Sequence, residues 1–324
     1  MSKLFVVSPP LDIFSRIEPE IKSRIECLPD FLRYPKGKFR QITRSLLLGR
    51  IPLPKTVLYL WFSKRYLDLI CNAKPGDSIL IYECCNVNVL KSLKPLLPKG
   101  VDCHVYYCNP MRTICSDGEI RMRKIKELGY KLSSFDAYDA EKYGLNYTGQ
   151  YFCLPPQSRE PITCDCFFCG LPKDRADELE ALRRLLEQNG LTCDFIIPRT
   201  PQEKVTYPEY LKRADRSRCI IDIAQGGQLG LTRRPLEALF YGKKLITNNP
   251  DLANYDFYNK ENIFIFGKDS ESRLKDFVRS PFVEIPQSIR YNYVDSELSV
   301  EITYHSTYIL IYETACRLYC HMVL

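Results

Sequence analysis

Short apolar runs alternate with stretches of helical period along most of this chain. Runs at Lys3–Val7, Ser78–Tyr82, Cys103–Tyr107 and Lys131–Phe135 read as strands, and between them Asn86–Leu96 and Gly118–Leu128 carry apolar residues at helical spacing. From Gly144 to Thr163 the pattern breaks around Pro155, Pro156 and Pro161, the signature of a linker. A second series follows: strand Cys164–Cys169, helix Asp174–Gln188, strand Cys193–Ile197, helix Tyr207–Ala214, strand Cys219–Ala224, helix Arg233–Tyr241, strands Lys244–Thr247 and Asn262–Phe266, and helix Ser270–Val278. Such alternation needs crossover connections and favours parallel, doubly wound sheets. The expected fold class is therefore α/β, with one Rossmann-like domain over residues 1–150, a second over 151–290, and an atypical tail over 291–324.

At 324 residues the chain is long enough for two cores, and its 45% hydrophobic and 26% charged content is that of a globular protein. No apolar run approaches the roughly 18 residues that span a bilayer. The first residues, MSKLFVVSPP, hold too short an apolar run for a secretory signal. A cytoplasmic location is expected.

Fifteen cysteines would imply a disulfide framework in a small secreted domain, but here most lie within apolar runs of a large chain and read as reduced thiols. The stretch CDCFFC contains a CxxC, Cys166 and Cys169, with Cys164 beside it. That spacing suits zinc or thiol exchange. The alternative is a plain strand with Cys164, Cys166 and Phe168 on one face. No His or second CxxC completes a metal site, and neither metal nor cofactor is expected.

Charge is unevenly placed. Between Arg33 and Arg65 stand nine basic residues and no acidic one, against a net charge of +7 for the whole chain. Lys36, Lys38, Arg40 and Arg44 are interleaved with apolar residues including Leu46, Leu47, Leu48, Ile51, Trp61 and Phe62. One reading places this segment on an anionic membrane surface with its apolar side inserted; the other makes it a solvated basic face packed on its own domain. No nucleic-acid-binding signature accompanies it, and nucleic acid is not an expected partner.

In a doubly wound sheet, ligands sit beyond the carboxyl ends of the strands. Two charged turns fall there. GLPKDR follows the strand ending at Cys169, with Gly170 allowing close backbone approach and Lys173 and Arg175 supplying cations. QGGQLGLTRRPLE follows the strand ending at Ala224: after Gln225, a candidate ligand contact, Gly226, Gly227 and Gly230 let the backbone turn tightly, Thr232 suits a helix N-cap, and Arg233 and Arg234 stand in the first helical turn. Backbone amides, helix dipole and guanidinium charge would together favour a phosphate. Glu237 would repel one, and instead suits the vicinal hydroxyls of a ribose or hexose; alternatively it only complements the helix dipole.

The run IIDIAQGGQLGLTRRPLEALFYGKKLITNN, followed by YDFYNKENIFIFG, resembles the donor-binding domain of GT-B glycosyltransferases, especially bacterial enzymes that build lipopolysaccharide or capsule glycans. The likeness extends more loosely to YCNP and FDAYDAEKYGLNY, covering residues 75 to 280 or so. It implies two Rossmann-like domains facing a cleft. It also implies that Glu237 holds the hydroxyls of a nucleotide-sugar and Arg234 its diphosphate. Gly227, Gly230 and Thr232 would form the loop around the donor, with Gly170 and Lys173 at the phosphates. Two features depart from the family pattern: Gly226 and Leu229 stand where a second acidic residue is common, and the first-domain loop SPPLD lacks glycines.

The resemblance implies a hexosyltransferase-type enzyme. It would move sugar from a nucleotide-sugar donor to a cell-surface glycan or lipid-linked acceptor, without a metal, peripherally on the inner face of the cytoplasmic membrane. Asp136, Asp139 and His104 are the candidate bases. The alternative is a non-catalytic relative that binds nucleotide-sugar or glycan. A dinucleotide-dependent oxidoreductase fits poorly, because Gln225, Gly227 and Gly230 give only half of GxGxxG, after a third strand rather than a first.

Overall fold

The computed structural model describes residues 2–7, 23–28, 42–43, 46–148, 150, 160–200, 203–224 and 230–293. Two compact units meet in the sequence between residues 151 and 152. Lys36, Lys38, Arg40, Arg44, Gln225, Gly226, Gly227, Leu229, the SPPLD loop and residues 294–324 of the tail lie outside the described residues.

In the first unit the elements run β1 (Leu4–Val7), β2 (Ile25–Leu28), α1 (Lys55–Leu58), α2 (Lys64–Asn72), β3 (Ser78–Tyr82), α3 (Val87–Leu93), β4 (Asp102–Tyr107), α4 (Met111–Ile114), α5 (Gly118–Glu127), β5 (Lys131–Ser134), α6 (Ala137–Tyr143) and β6 (Asn146–Tyr147). The strands form one sheet of order β2-β1-β3-β4-β5-β6, each neighbouring pair parallel. Every residue of β1 and of β3 is buried, as in a parallel sheet covered on both faces. The helices cover it with single apolar stripes: Tyr66, Leu67 and Ile70 on α2, Val89, Leu90 and Leu93 on α3. Asn86 starts α3 by accepting the amides of Asn88 and Val89.

Trp61 and Phe62 are not surface anchors. They are 1% and 0% exposed and belong to the core of this unit with Leu48 and Leu58. The exposed apolar residues of the basic segment are Ile42, Leu46, Ile51 and Leu60. Aromatic burial removes more area from water than any aliphatic in this stretch, so the core takes Trp61 and Phe62 together with Leu48 and Leu58.

The second unit runs β7 (Cys164–Cys169), α7 (Ala176–Gln188), β8 (Cys193–Ile196), α8 (Tyr207–Asp215), β9 (Ser217–Asp222), α9 (Arg233–Tyr241), β10 (Lys244–Thr247), β11 (Ile263–Ile265), α10 (Leu274–Arg279) and α11 (Gln287–Tyr291). Its sheet, again with all neighbours parallel, has the order β11-β10-β9-β7-β8. α7 lays Leu179, Leu182 and Leu186 on the sheet, while Gly242 ends α9 in the left-handed conformation at φ 63°.

Counted from its own first strand, each sheet has the order 2-1-3-4-5, extended by a sixth strand in the first unit. The order of strand addition therefore reverses between β1 and β3 in one sheet and between β7 and β9 in the other. At such a switch point the loops leave in opposite directions and open a crevice beyond the carboxyl ends. Both loops singled out for ligand binding, after β7 and after β9, lie at the second switch point.

The CxxC does not form a site. Cys166 and Phe168 join the cluster on one face of β7, whereas Phe167 and Cys169 pack on the other. Strand alternation thus separates the two thiols. Among the described residues no cysteine is in a disulfide, and no group of three or more His, Cys, Asp or Glu is placed to hold a metal ion.

Candidate functional site

Phe168, the penultimate residue of β7, is fully buried and carries two guanidinium groups: Arg175 lies 5.3 Å and Arg234 5.1 Å from its ring centroid. Cation–π contact lets both groups share one aromatic base. Gly170 makes the convergence possible. A Cβ built there would lie 2.7 Å from Nη2 of Arg234 and 3.1 Å from Nη2 of Arg175, so the two ends approach the same point. Arg175 immediately precedes α7 instead of entering it.

Each arginine is held from behind. Arg175 donates from Nη1 to the carbonyl of Ile223 and from Nη2 to that of Leu171 at 3.2 Å. Arg234 donates from Nη2 to the carbonyl of Cys169 at 2.8 Å and from Nη1 to Asp222 at 3.2 Å. Asp222 closes β9 and is 1% exposed. The Nε groups of both arginines are buried without a hydrogen-bond acceptor among the described residues. Burial first, and then the neighbouring Arg234, push Arg175 down to about 10. Buried Asp222 faces both buried Arg175 and half-buried Arg234, while Asp174 and Glu178 also act on Arg175 and Glu237 on Arg234.

Thr232 is not an N-cap by its side chain. Its hydroxyl donates instead to Asp222 at 3.0 Å, tying the start of α9 to the end of β9. Lys173, exposed in the loop after β7, has a φ of 48°, a left-handed conformation that a non-glycine residue seldom adopts. Gly230 is buried just before α9.

Glu237 lies past the first turn of α9, where the helix-dipole effect has faded, and is 2% exposed. Its two oxygens accept the hydroxyls of Tyr207, at 3.1 Å, and Tyr210. These tyrosines stack with centroids 5.7 Å apart, and Arg233 donates to the Tyr207 hydroxyl at 2.7 Å while lying 4.8 Å above its ring. Burial raises the Glu237 pKa above the usual carboxylate value, opposed by Arg233 and by the Tyr210 hydrogen bond. The dipole reading of Glu237 is replaced by a buried carboxylate clamped by tyrosines. The sequence hint was available, since Tyr207 and Tyr210 stand i, i+3 on α8.

Asn248, directly after β10, was not foreseen. Its side-chain amide donates to both oxygens of Glu178 at 2.9 and 3.0 Å, and its carbonyl oxygen accepts the amide of Ala224 at 2.8 Å. It fixes the exit of β9 against the first turn of α7.

The three candidate bases are engaged in the fold of the first unit. Asp136, 1% exposed, caps α6 by accepting the amide of Asp139. Asp139, 4% exposed, accepts the amide of Met111 at 2.6 Å, and burial raises its pKa. His104 lies in mid-β4, paired in register with Leu80 and Lys131, and is 0% exposed with neither ring nitrogen bonded. Burial lowers its pKa to about 4, so it is neutral and sealed inside the sheet. A base must reach the proton it removes, and all three of these side chains are buried in this structure.

No protein-family model and no curated protein matches the chain. Among solved structures, a mutant of S. aureus TarM in complex with Fondaparinux, alpha-GlcNAc-glycerol and UDP aligns with a TM-score of 0.49 at 8% identity, over 78% of this chain and 57% of that one. A second TarM structure aligns at 0.45 and 11% identity, over 78% and 57%. The Gap123 glycosylation-associated protein complex of Streptococcus agalactiae aligns at 0.35 and 10% identity, over 70% and 54%. This chain spans little more than half the length of those proteins.

Proposed function

We propose that the chain is a glycosyltransferase of the hexosyltransferase kind that binds the diphosphate of a nucleotide-sugar in its second unit. The observation that carries this reading is the convergence of Arg175 and Arg234 on Gly170 at the switch point between β7 and β9. A diphosphate there meets two guanidiniums that the fold orients by hydrogen bonds to the carbonyls of Cys169, Leu171 and Ile223 and to Asp222. Preorganised cations of this kind stabilise the charge that develops on a leaving nucleoside diphosphate, so the reaction proceeds without a required metal. Lys173 adds charge from the loop after β7, and Gly230 and Thr232 lie at the start of α9 opposite it. Glu237 receives donor hydroxyls through its remaining lone pairs, in company with Tyr207, Tyr210 and Arg233.

The acceptor in this reading is a cell-surface glycan or a lipid-linked sugar of the lipopolysaccharide or capsule type, and the enzyme works at the inner face of the cytoplasmic membrane. Support for surface association comes from the basic segment. Ile42 and Leu46, one helical turn apart, are 57% and 54% exposed, and Leu60, 53% exposed, follows Tyr59, whose ring has Lys55 and Lys64 within 5.9 and 6.0 Å. No helix among the described residues is long and apolar enough to cross a membrane.

The experiment is titration with uridine and guanosine diphosphates in the presence of chelator, followed by a transfer assay with the matching nucleotide-sugars. Binding and transfer support the proposal. Binding with neither donor hydrolysis nor transfer makes the chain a non-catalytic relative, and no binding refutes the site.

A further inference from the structure

Only two non-glycine residues among those described adopt a positive φ: Lys173, in the loop after β7, and Glu83, at 53°. Glu83 directly follows β3, so it stands at the carboxyl end of a switch-point strand of the first sheet. In strand order it occupies the place that the loop after β9 occupies in the second unit. Glutamate has no intrinsic liking for this backbone region, unlike glycine or asparagine, and persists there only where surrounding contacts hold it.

Those contacts are explicit. The Glu83 amide donates to the carbonyl of Tyr106 at 2.8 Å, and Oε1 accepts the side-chain amide of Asn109 at 2.6 Å and the thiol of Cys108 at 3.2 Å. All three partners belong to the end of β4 or the residues just after it. The side chain is thus turned across the carboxyl ends of β3 and β4 and pinned by one oxygen. Its other oxygen, Oε2, has no hydrogen-bond partner among the described residues, and Glu83 is half-buried. A carboxylate fixed by one oxygen and open at the other accepts hydrogen bonds from a ligand; it does not bind an anion.

We infer that Glu83, braced by Cys108 and Asn109, binds a hydroxyl group of a polyhydroxylated acceptor at the switch point of the first sheet. The inference deepens the transferase reading and rests on it for the word acceptor. The strained backbone is what directs the carboxylate to the crevice, and relaxing it would remove the ligand contact while relieving the fold.

The test uses the full chain and two variants, Glu83→Gln and Glu83→Gly. Saturation-transfer NMR is recorded with glycerol, glucose, galactose, mannose and N-acetylglucosamine as separate probes, and thermal unfolding and uridine diphosphate titration are run in parallel. At least one probe is expected to show saturation transfer with the unmodified chain, reduced at least threefold in both variants. Glu83→Gly relieves the left-handed backbone but gives up the bonds from Asn109 and Cys108, so its melting point is expected to stay within about 2–4 °C of the unmodified chain. Nucleotide affinity, which belongs to the second unit, should not change in either variant. No saturation transfer from any probe, or transfer undiminished from the unmodified chain in both variants, would overturn the inference. Loss of nucleotide binding in the unmodified chain, with Glu83-dependent sugar binding intact, would instead remove the transferase reading and leave a polyol site.

Discussion

Arg175 and Arg234, far apart in sequence, place their guanidinium groups 5.3 and 5.1 Å from the single ring of Phe168 and both reach to within about a side-chain contact of Gly170. Two like charges do not gather in this way without a reason. Asp222 offsets them through a 3.2 Å contact to Arg234, with Asp174 and Glu178 also acting on Arg175 and Glu237 on Arg234.

Gly170→Ala tests that convergence. Its φ is not in the left-handed region, so alanine fits the backbone, but the new methyl occupies the point 2.7 Å from Arg234 Nη2. The obstacle meets the far end of a flexible side chain, which moves aside and spares the fold. We expect diphosphate affinity to fall by about tenfold, equivalent to roughly 1.4 kcal/mol, with stability changed by less than about 1 kcal/mol. Calorimetry and urea unfolding give the two numbers.

Much of this site was legible because its residue types are tied to strand ends. Gly170, Lys173, Thr232, Arg233, Arg234 and Glu237 follow recognisable apolar runs, and the doubly wound rule places them together. Other features had no sequence signal. Ile25–Leu28 became β2 although IECL is short and holds a glutamate, and β6 is two residues long; pairing with a neighbour makes these strands, not their own pattern. The i, i+3 spacing of Tyr207 and Tyr210 was a hint of the Glu237 clamp, but tyrosines at helical spacing read equally as core. The backbone conformation of Glu83 cannot be read from composition at all. Trp61 and Phe62 were misplaced because a basic stretch with apolar residues does not say which of them the core will claim.

Glu237→Gln should affect both binding and stability. The amide retains one accepting oxygen and presents a donor where the second tyrosine hydroxyl donates, so one buried hydroxyl loses its acceptor. A hydrogen bond to a charged group contributes about 1.5–3 kcal/mol, and we expect a loss of that order in unfolding free energy together with weaker nucleotide-sugar binding. Nucleoside diphosphate lacking the sugar should bind the variant with less loss if the carboxylate serves the sugar hydroxyls.

His104 predicts a pH effect. Its pKa is lowered from 6.5 to about 4 by burial, so the unfolded chain takes up a proton at higher pH than the folded one. The sign follows: stability is retained above 6.5 and lost as pH falls from 6.5 to about 4, by up to about 3 kcal/mol. His104→Leu should flatten this part of the pH profile of the urea midpoint. An unchanged profile would mean that the ring takes up its proton as readily in the folded state as in the unfolded one.

Membrane association follows from charge with exposed aliphatic residues. Each basic residue near an anionic surface contributes about 1 kcal/mol, over a Debye length of about 8 Å at physiological salt. The protein should sediment with anionic vesicles and not with neutral ones, and less so as salt rises. Replacing Lys36, Lys38, Arg40 and Arg44 by Gln, or Ile42 and Leu46 by Ser, should weaken this without lowering the melting point. Equal sedimentation with neutral vesicles would return the segment to a solvated face.

The most direct measurement of the central claim is calorimetric titration of uridine and guanosine diphosphate into the full chain and into Arg234→Gln, each with excess EDTA. The account predicts saturable binding of at least one nucleotide to the unmodified protein, persisting in chelator, and a loss of tenfold or more in Arg234→Gln. Abolition of binding by EDTA, or equal affinity in the variant, would contradict a diphosphate site built on Arg175 and Arg234.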